Sequence, residues 1–138
     1  MIVDRDSGNF SAKELGCRCC GTIRVHEAFL GVLEKVREAT KPLHLISCSR
    51  CYSHNSKIGG HKSSLHLIDN QKHLTPTIAA DVSTVRWSNA EKLKFAKVAE
   101  DHGLSMGLKR NSIHVDYRHL IGLKQIVFFY GYTPEWCK

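Results

Sequence analysis

Three side chains in this sequence pair metal-ligating chemistry with an unusual setting: His66, Asp81 and His114. Asp81 interrupts the apolar run Ile78-Ala79-Ala80-Asp81-Val82. A carboxylate there is expensive to bury unless it is paired or bound to a metal. His114 lies in Ile113-His114-Val115-Asp116-Tyr117-Arg118. Strand alternation puts His114, Asp116 and Arg118 on one face and Ile113, Val115 and Tyr117 on the other. A polar face of that kind lines a cleft. Two imidazoles and a carboxylate, with a water, are the usual ligands of a catalytic zinc. Zinc lowers the pKa of its water toward about 7 and polarises a carbonyl, and a nearby carboxylate takes the proton. The plain alternative is a hydrogen-bonded His114–Asp116–Arg118 group without metal. Of the nine histidines, all but His26 fall within 44–73 and 102–119, which concentrates ligands around one region.

The elements that must position these groups are legible in part. Ser11-Ala12-Lys13-Glu14 and Ser88-Asn89-Ala90-Glu91 are capping boxes, each opening a helix. Val25, Ala28, Phe29, Val32, Leu33 and Val36 form one apolar face of a helix over about 24–40, which Pro42 ends. The helix after Ser88 runs to about His102, with Leu93, Ala96 and Ala99 inward, and Gly103 closes it. Residues 43–48, 78–82, 113–117 and 125–130 read as strands. Residues 53–57 read as a helical turn broken by Gly59-Gly60, and 61–77 as a long loop of the kind that often carries function. Helices first, then strands with one intervening helix, predict an α+β fold: a small antiparallel sheet with helices packed on one side.

At 138 residues, one domain spanning 1–138 is the expectation. The composition, 42% hydrophobic and 24% charged, excludes a disordered chain. No apolar run approaches the roughly 20 residues of a membrane span. The N-terminal residues lack the basic and apolar regions of a secretory signal. The formal charge of +7 favours anionic partners such as nucleic acid, anionic membrane surfaces or cell-wall polymers, or serves solubility alone. No Lys/Arg run is long enough for a nucleic-acid arm. Six cysteines stand at 17, 19, 20, 48, 51 and 137. Cys17, Cys19, Cys48 and Cys51 have spacings that could hold a structural zinc, as in a small nucleic-acid-binding ribbon. Buried free thiols are the plain alternative. That ribbon leaves Asp81 unexplained. Phe128-Phe129-Tyr130 and Trp136 read as core strand aromatics and a terminal packing anchor rather than a carbohydrate platform.

From about Phe10 to Arg118 the chain resembles the zinc D-alanyl-D-alanine carboxypeptidases and phage endolysin peptidases, which share a fold with hedgehog signalling domains. The motifs come in the family's order. Phe10-Ser11-Ala12-Lys13-Glu14-Leu15 is followed by cysteines and Gly21, then by the helix and Lys41-Pro42-Leu43. Ile46-Ser47-Cys48-Ser49-Arg50 stands at the family's Ser-Gly-Tyr-Arg stretch, before His54-Asn55 and Gly59-Gly60. Ser64-Leu65-His66 matches Ser-x-His, Ala79-Ala80-Asp81 matches Ala-x-Asp, and His114-Val115-Asp116-Tyr117-Arg118 matches His-x-Asp-x-Arg.

The resemblance implies a Zn2+ peptidase acting on peptidoglycan stem peptides, with His66, Asp81 and His114 as metal ligands. Arg50 would be the cleft arginine, its fork of donors binding a substrate carboxylate or carbonyl oxygen. Many relatives carry an acid three positions before the last ligand histidine. Here Asn111 stands there and cannot take a proton. Asp116 then serves either as the base or to orient a ligand histidine and pair with Arg118. Fifteen positions separate His66 from Asp81, more than in relatives. The extra residues, about Ile68 to Thr75, are tolerable in loop entropy, reshape the cleft, or offer His73 as a ligand. His54 and His61 are the other histidines nearest the expected cleft. The implied protein is a monomer with no nucleic-acid or membrane partner. It would be made in the cytoplasm and act on the wall, as a phage lysis enzyme, a virion component or an enzyme exported without a leader would. The alternative is a non-catalytic zinc-binding module of the same fold.

Overall fold

A computed structural model describes Met1–Lys138. In chain order, its first half holds β1 (Ile2–Val3), α1 (Ala12–Leu15), β2 (Val25–His26), α2 (Glu27–Ala39), β3 (Leu45–Ser47) and α3 (Tyr52–Lys57). Then follow β4 (Ala79–Ser83), α4 (Asn89–Asp101), β5 (Ser105–Leu108), β6 (Ser112–Asp116) and β7 (Val127–Phe129). Both capping boxes form. Ser11 accepts from the Glu14 amide at 3.1 Å while Glu14 accepts the Ser11 amide, and Ser88 and Glu91 do the same at α4. These reciprocal bonds satisfy amide donors that a helix start leaves unpaired. No helix is long and apolar enough to cross a membrane.

The fold is α+β, with a two-stranded ribbon and a five-stranded sheet ordered β3-β4-β6-β5-β7. The larger sheet is mixed rather than wholly antiparallel, because β7 pairs parallel to β5, Met106 opposite Val127. Sequence reading overlooks β5. Its central Gly107 weakens strand propensity, yet a Cβ there would lie 2.5–2.7 Å from Tyr130 Oη and the Phe128 ring. The glycine lets those two aromatics close over the strand. Helix α2 starts later than expected because Val25 and His26 pair with Val3 and Ile2. His26 Nδ1 then accepts the Ala28 amide at 3.0 Å and caps the helix.

A core of 21 buried residues draws Phe29, Leu33 and Val36 from α2, Phe95 and Ala99 from α4, and Ala80, Val82, Ile113 and Val115 from the sheet. Leu93, expected inward, is 49% exposed. Lys92 takes an inward position instead, its stem buried and its ammonium donating to the Arg110 carbonyl at 2.9 Å. Trp136 is the buried terminal anchor, its indole donating to the Lys109 carbonyl. Since alternate strand residues fill the core, their neighbours Asp81 and His114 project from the opposite face.

Gly16 follows α1 where the chain folds back tightly. A Cβ there would meet the backbone oxygens of Ala12 and Gly21 at 2.8 and 2.9 Å. Backbone cannot step aside as a side-chain tip can, so Gly16→Ala should cost about 1–3 kcal/mol. A lower urea midpoint at unchanged slope would register that loss.

Candidate active site

Strand pairing builds the first half of the site. In the β4–β6 ladder Asp81 stands directly opposite His114, so both side chains share one face. His66 arrives from the long loop, which is stitched to its neighbours by backbone bonds. Arg50 N–H donates to the His66 carbonyl at 2.9 Å, and Ile68 N–H donates to the Arg50 carbonyl at 2.9 Å. The Thr77 hydroxyl donates to the same His66 carbonyl. Asp81 Oδ1 then lies 3.3 Å from His66 Nε2 and 3.1 Å from His114 Nδ1. The ligand atoms of the three residues all fall within 4.8 Å of one another.

The hydrogen bonds orient both imidazoles. His66 Nδ1 sits 2.8 Å from the Cys48 carbonyl, which accepts its proton and leaves Nε2 with a bare lone pair. That Nε2 is buried and makes no aligned hydrogen bond, despite its closeness to Asp81. An orphaned, inward-facing imidazole nitrogen beside a carboxylate and a second imidazole fits a divalent metal. On His114 the polarity is reversed: Nε2 meets Asp116 Oδ2 at 2.8 Å, so Nδ1 is the atom that faces Asp81.

Charge follows from this packing. Burial would raise the Asp81 carboxyl, but His66 and His114 outweigh it and hold it well below the usual carboxylate range. Burial pulls His66 down, with Asp81 opposing. Burial also acts against protonated His114, yet hydrogen bonds to Asp116 and Asp81 raise it. Asp116 is fully buried, and Arg118 grips both its oxygens at 2.9 and 2.7 Å. Burial favours its neutral form, but Arg118 and His114 keep it ionised.

The three residues open onto a cavity of about 700 Å³. Arg50, Lys72, Lys109 and Arg118 give it a cationic lining, and Phe128 and Tyr130 form an aromatic wall. The expectation of core aromatics therefore fails for Phe128 and Tyr130, and also for Phe129, which is 47% exposed. Strand β7 is an edge strand, so part of its surface stays open. Burial, with Asp81 and Asp116 nearby, pushes the Tyr130 phenol up to about 12, so it remains a proton-bearing donor. Arg50 reaches Asp81 Oδ2 at 3.2 Å, Ser47 Oγ at 3.1 Å and Asn55 Oδ1 at 3.4 Å. Ser47 and Asn55 are positioning groups that spacing did not single out. The pairing of Asn55 Nδ2 with the His61 carbonyl is visible only in three dimensions.

The extra residues in the long loop close on themselves. Asn70 N–H donates to the Thr75 carbonyl, the Leu74 amide to the Asn70 carbonyl, and Asn70 Nδ2 to the carbonyls of Ser63 and Ser64. The loop thereby holds Lys72 and His73 against the cavity without displacing His66. His73 lies outside the ligand cluster, His61 lines the cavity, and His54 does not. Asn111 is exposed and lies away from the cavity, so no acid enters from that position.

The four-cysteine ribbon does not form. Cys48 is fully buried in the apolar core, where burial pushes its thiol up to about 12. Cys17 and Cys51 cluster instead with Cys20. A family model described as Peptidase M15 matches residues 8–116, well over half the chain. No curated protein and no solved structure matches it.

Proposed function

The chain belongs to the Peptidase M15 family, zinc-dependent peptidases of peptidoglycan, and from that premise we propose that its single domain hydrolyses peptide bonds in stem peptides or their cross-links. The observation that carries the proposal is the orphaned His66 Nε2 beside Asp81 and His114, facing a cationic cavity. His66 Nε2, Asp81 Oδ1 and His114 Nδ1 would hold the zinc. Bound there, zinc would supply Lewis-acid activation of water and of the scissile carbonyl. Arg50 binds a substrate carboxylate or carbonyl oxygen through whichever guanidinium donors Asp81, Ser47 and Asn55 leave open. Tyr130 donates a hydrogen bond from the aromatic wall. Lys72, Lys109 and Arg118 attract the anionic wall polymer.

Asp116 acts through His114 on this reading, not as the proton acceptor. It is sealed from the cavity's solvent, and its oxygens are spent on His114 and Arg118. Its carboxylate fixes which His114 nitrogen faces Asp81. Asp116→Asn should weaken zinc affinity about 10- to 100-fold, read by competition with a chromogenic chelator. Unchanged affinity together with lost turnover would return Asp116 to the role of base. With Asp116 committed, His61 and His73 are the histidines outside the ligand trio that line the cavity.

A second reading has its own observation. Asp81 and Asp116 are the only carboxylates lining the cavity, and both are engaged. A non-catalytic zinc module that binds wall peptides would look the same. Digestion of purified peptidoglycan, with products resolved by mass spectrometry, separates the two. Turnover that a chelator removes and zinc restores supports the peptidase. Released terminal D-alanine marks a carboxypeptidase, and cleaved cross-links mark the endolysin type. Full zinc occupancy with no product supports the binding module.

A further inference from the structure

The molecule carries a second group of metal-ligating atoms, distinct from the cavity. The sulfurs of Cys17, Cys20 and Cys51 all lie within 4.8 Å of one another. Cys17-Arg18-Cys19-Cys20-Gly21 forms a tight turn: Gly21 N–H donates to the Cys17 carbonyl at 2.7 Å, and Cys17 N–H to the Thr22 carbonyl at 2.9 Å. Gly21 has φ +76°, a conformation that favours glycine. The turn brings the first and fourth residues of a Cys-x-x-Cys pair together, a spacing that suits zinc. Cys51 approaches from the start of α3, its backbone amide donating to Cys17 Sγ at 3.4 Å. The His54 amide donates to Cys51 Sγ at 3.4 Å.

Amide donors aimed at sulfur favour the thiolate, which is the form that binds metal. Three thiols in one spot, with donors already turned toward two of them, are costly to ionise together unless a cation joins them. Sulfurs sharing a tetrahedral zinc at a Zn–S distance of about 2.3 Å stand roughly 3.8 Å apart. Small side-chain rotations reach that spacing. We propose that Cys17, Cys20 and Cys51 form a structural zinc site, its fourth position taken by the neighbouring Cys19 or by water.

The site would tie the turn after α1 to the residue that follows Arg50, two segments 34 positions apart. Ser49 N–H already donates to the Leu15 carbonyl across the same seam. A metal there would brace the backbone that aims Arg50 into the cavity, while contributing nothing to the cavity itself.

The test uses the full chain, loaded with Zn2+ or Co2+ under reducing conditions and freed of excess ion. Two zinc ions per chain are expected in the wild type. His114→Ala should keep one, and Cys20→Ser should keep one. Cys20 is exposed, so its substitution leaves the core intact. The cobalt-loaded wild type should show a thiolate-to-cobalt charge-transfer band that Cys20→Ser loses and His114→Ala retains. If His114→Ala fails to fold, the cobalt spectra of the wild type and Cys20→Ser decide alone. A wild-type spectrum without that band overturns the site. So does a Cys17–Cys51 or Cys20–Cys51 disulfide found by mass spectrometry of the unreduced chain.

Discussion

Asp81→Ala should empty the cleft of zinc and remove turnover with it. Asp81 is the one negative ligand of the trio, 3.3 Å from His66 Nε2 and 3.1 Å from His114 Nδ1. Without it, two imidazoles remain to hold a dication, and the half-buried Arg50 loses its counter-charge. A metal Lewis acid contributes several kcal/mol to the barrier. At about 1.4 kcal/mol per decade, the fall in rate is at least ~10³-fold. The core is untouched, because Asp81 projects from the face opposite Ala80 and Val82. Circular dichroism should therefore match the wild type while the zinc count falls by one. A variant that kept both its cleft zinc and its turnover would remove Asp81 from the ligand set.

Arg50→Ala should lower kcat/KM about 10- to 100-fold, the equivalent of one or two charge-assisted hydrogen bonds. The cleft zinc should stay. The split between binding and chemistry is informative. A raised KM at constant kcat means Arg50 holds substrate equally in ground and transition states. A fall in kcat means it meets charge that develops only in the transition state. Arg50 also touches Asp81 Oδ2 at 3.2 Å. Weakened zinc affinity in the variant would show that its main work is to position Asp81. Arg50→Lys separates charge from geometry, since an ammonium keeps the charge but lacks the planar fork.

Sequence alone determined much of this protein, and the reason is locality. Ser11 with Glu14 and Ser88 with Glu91 are capping devices four residues long, so they announce α1 and α4 without tertiary help. The apolar stripe of α2 is read within four turns. Asp81 stands out because a carboxylate in an apolar run needs a partner, whatever that partner is. The ordered motifs through His66, Asp81 and His114 carried the family, which the match over 8–116 bears out.

What the tertiary structure decided depended on contacts between distant residues. Strand β5 exists because β6 and β7 flank it, against the poor propensity of Gly107. Phe128 and Tyr130 look like core aromatics in sequence and become a cavity wall because β7 lies at the sheet edge. The lengthened loop looked able to disturb the site, yet Asn70 folds it onto itself. Asp116 lies beside His114 by alternation, but only the Arg118 fork and complete burial make it an orienting group. Cysteine spacing allowed Cys19 and Cys48 as partners. Packing sent Cys48 into the core and brought Cys20 to Cys17 and Cys51 instead. Spacing along a chain limits which groups can meet, and the packing of the core selects which of them do.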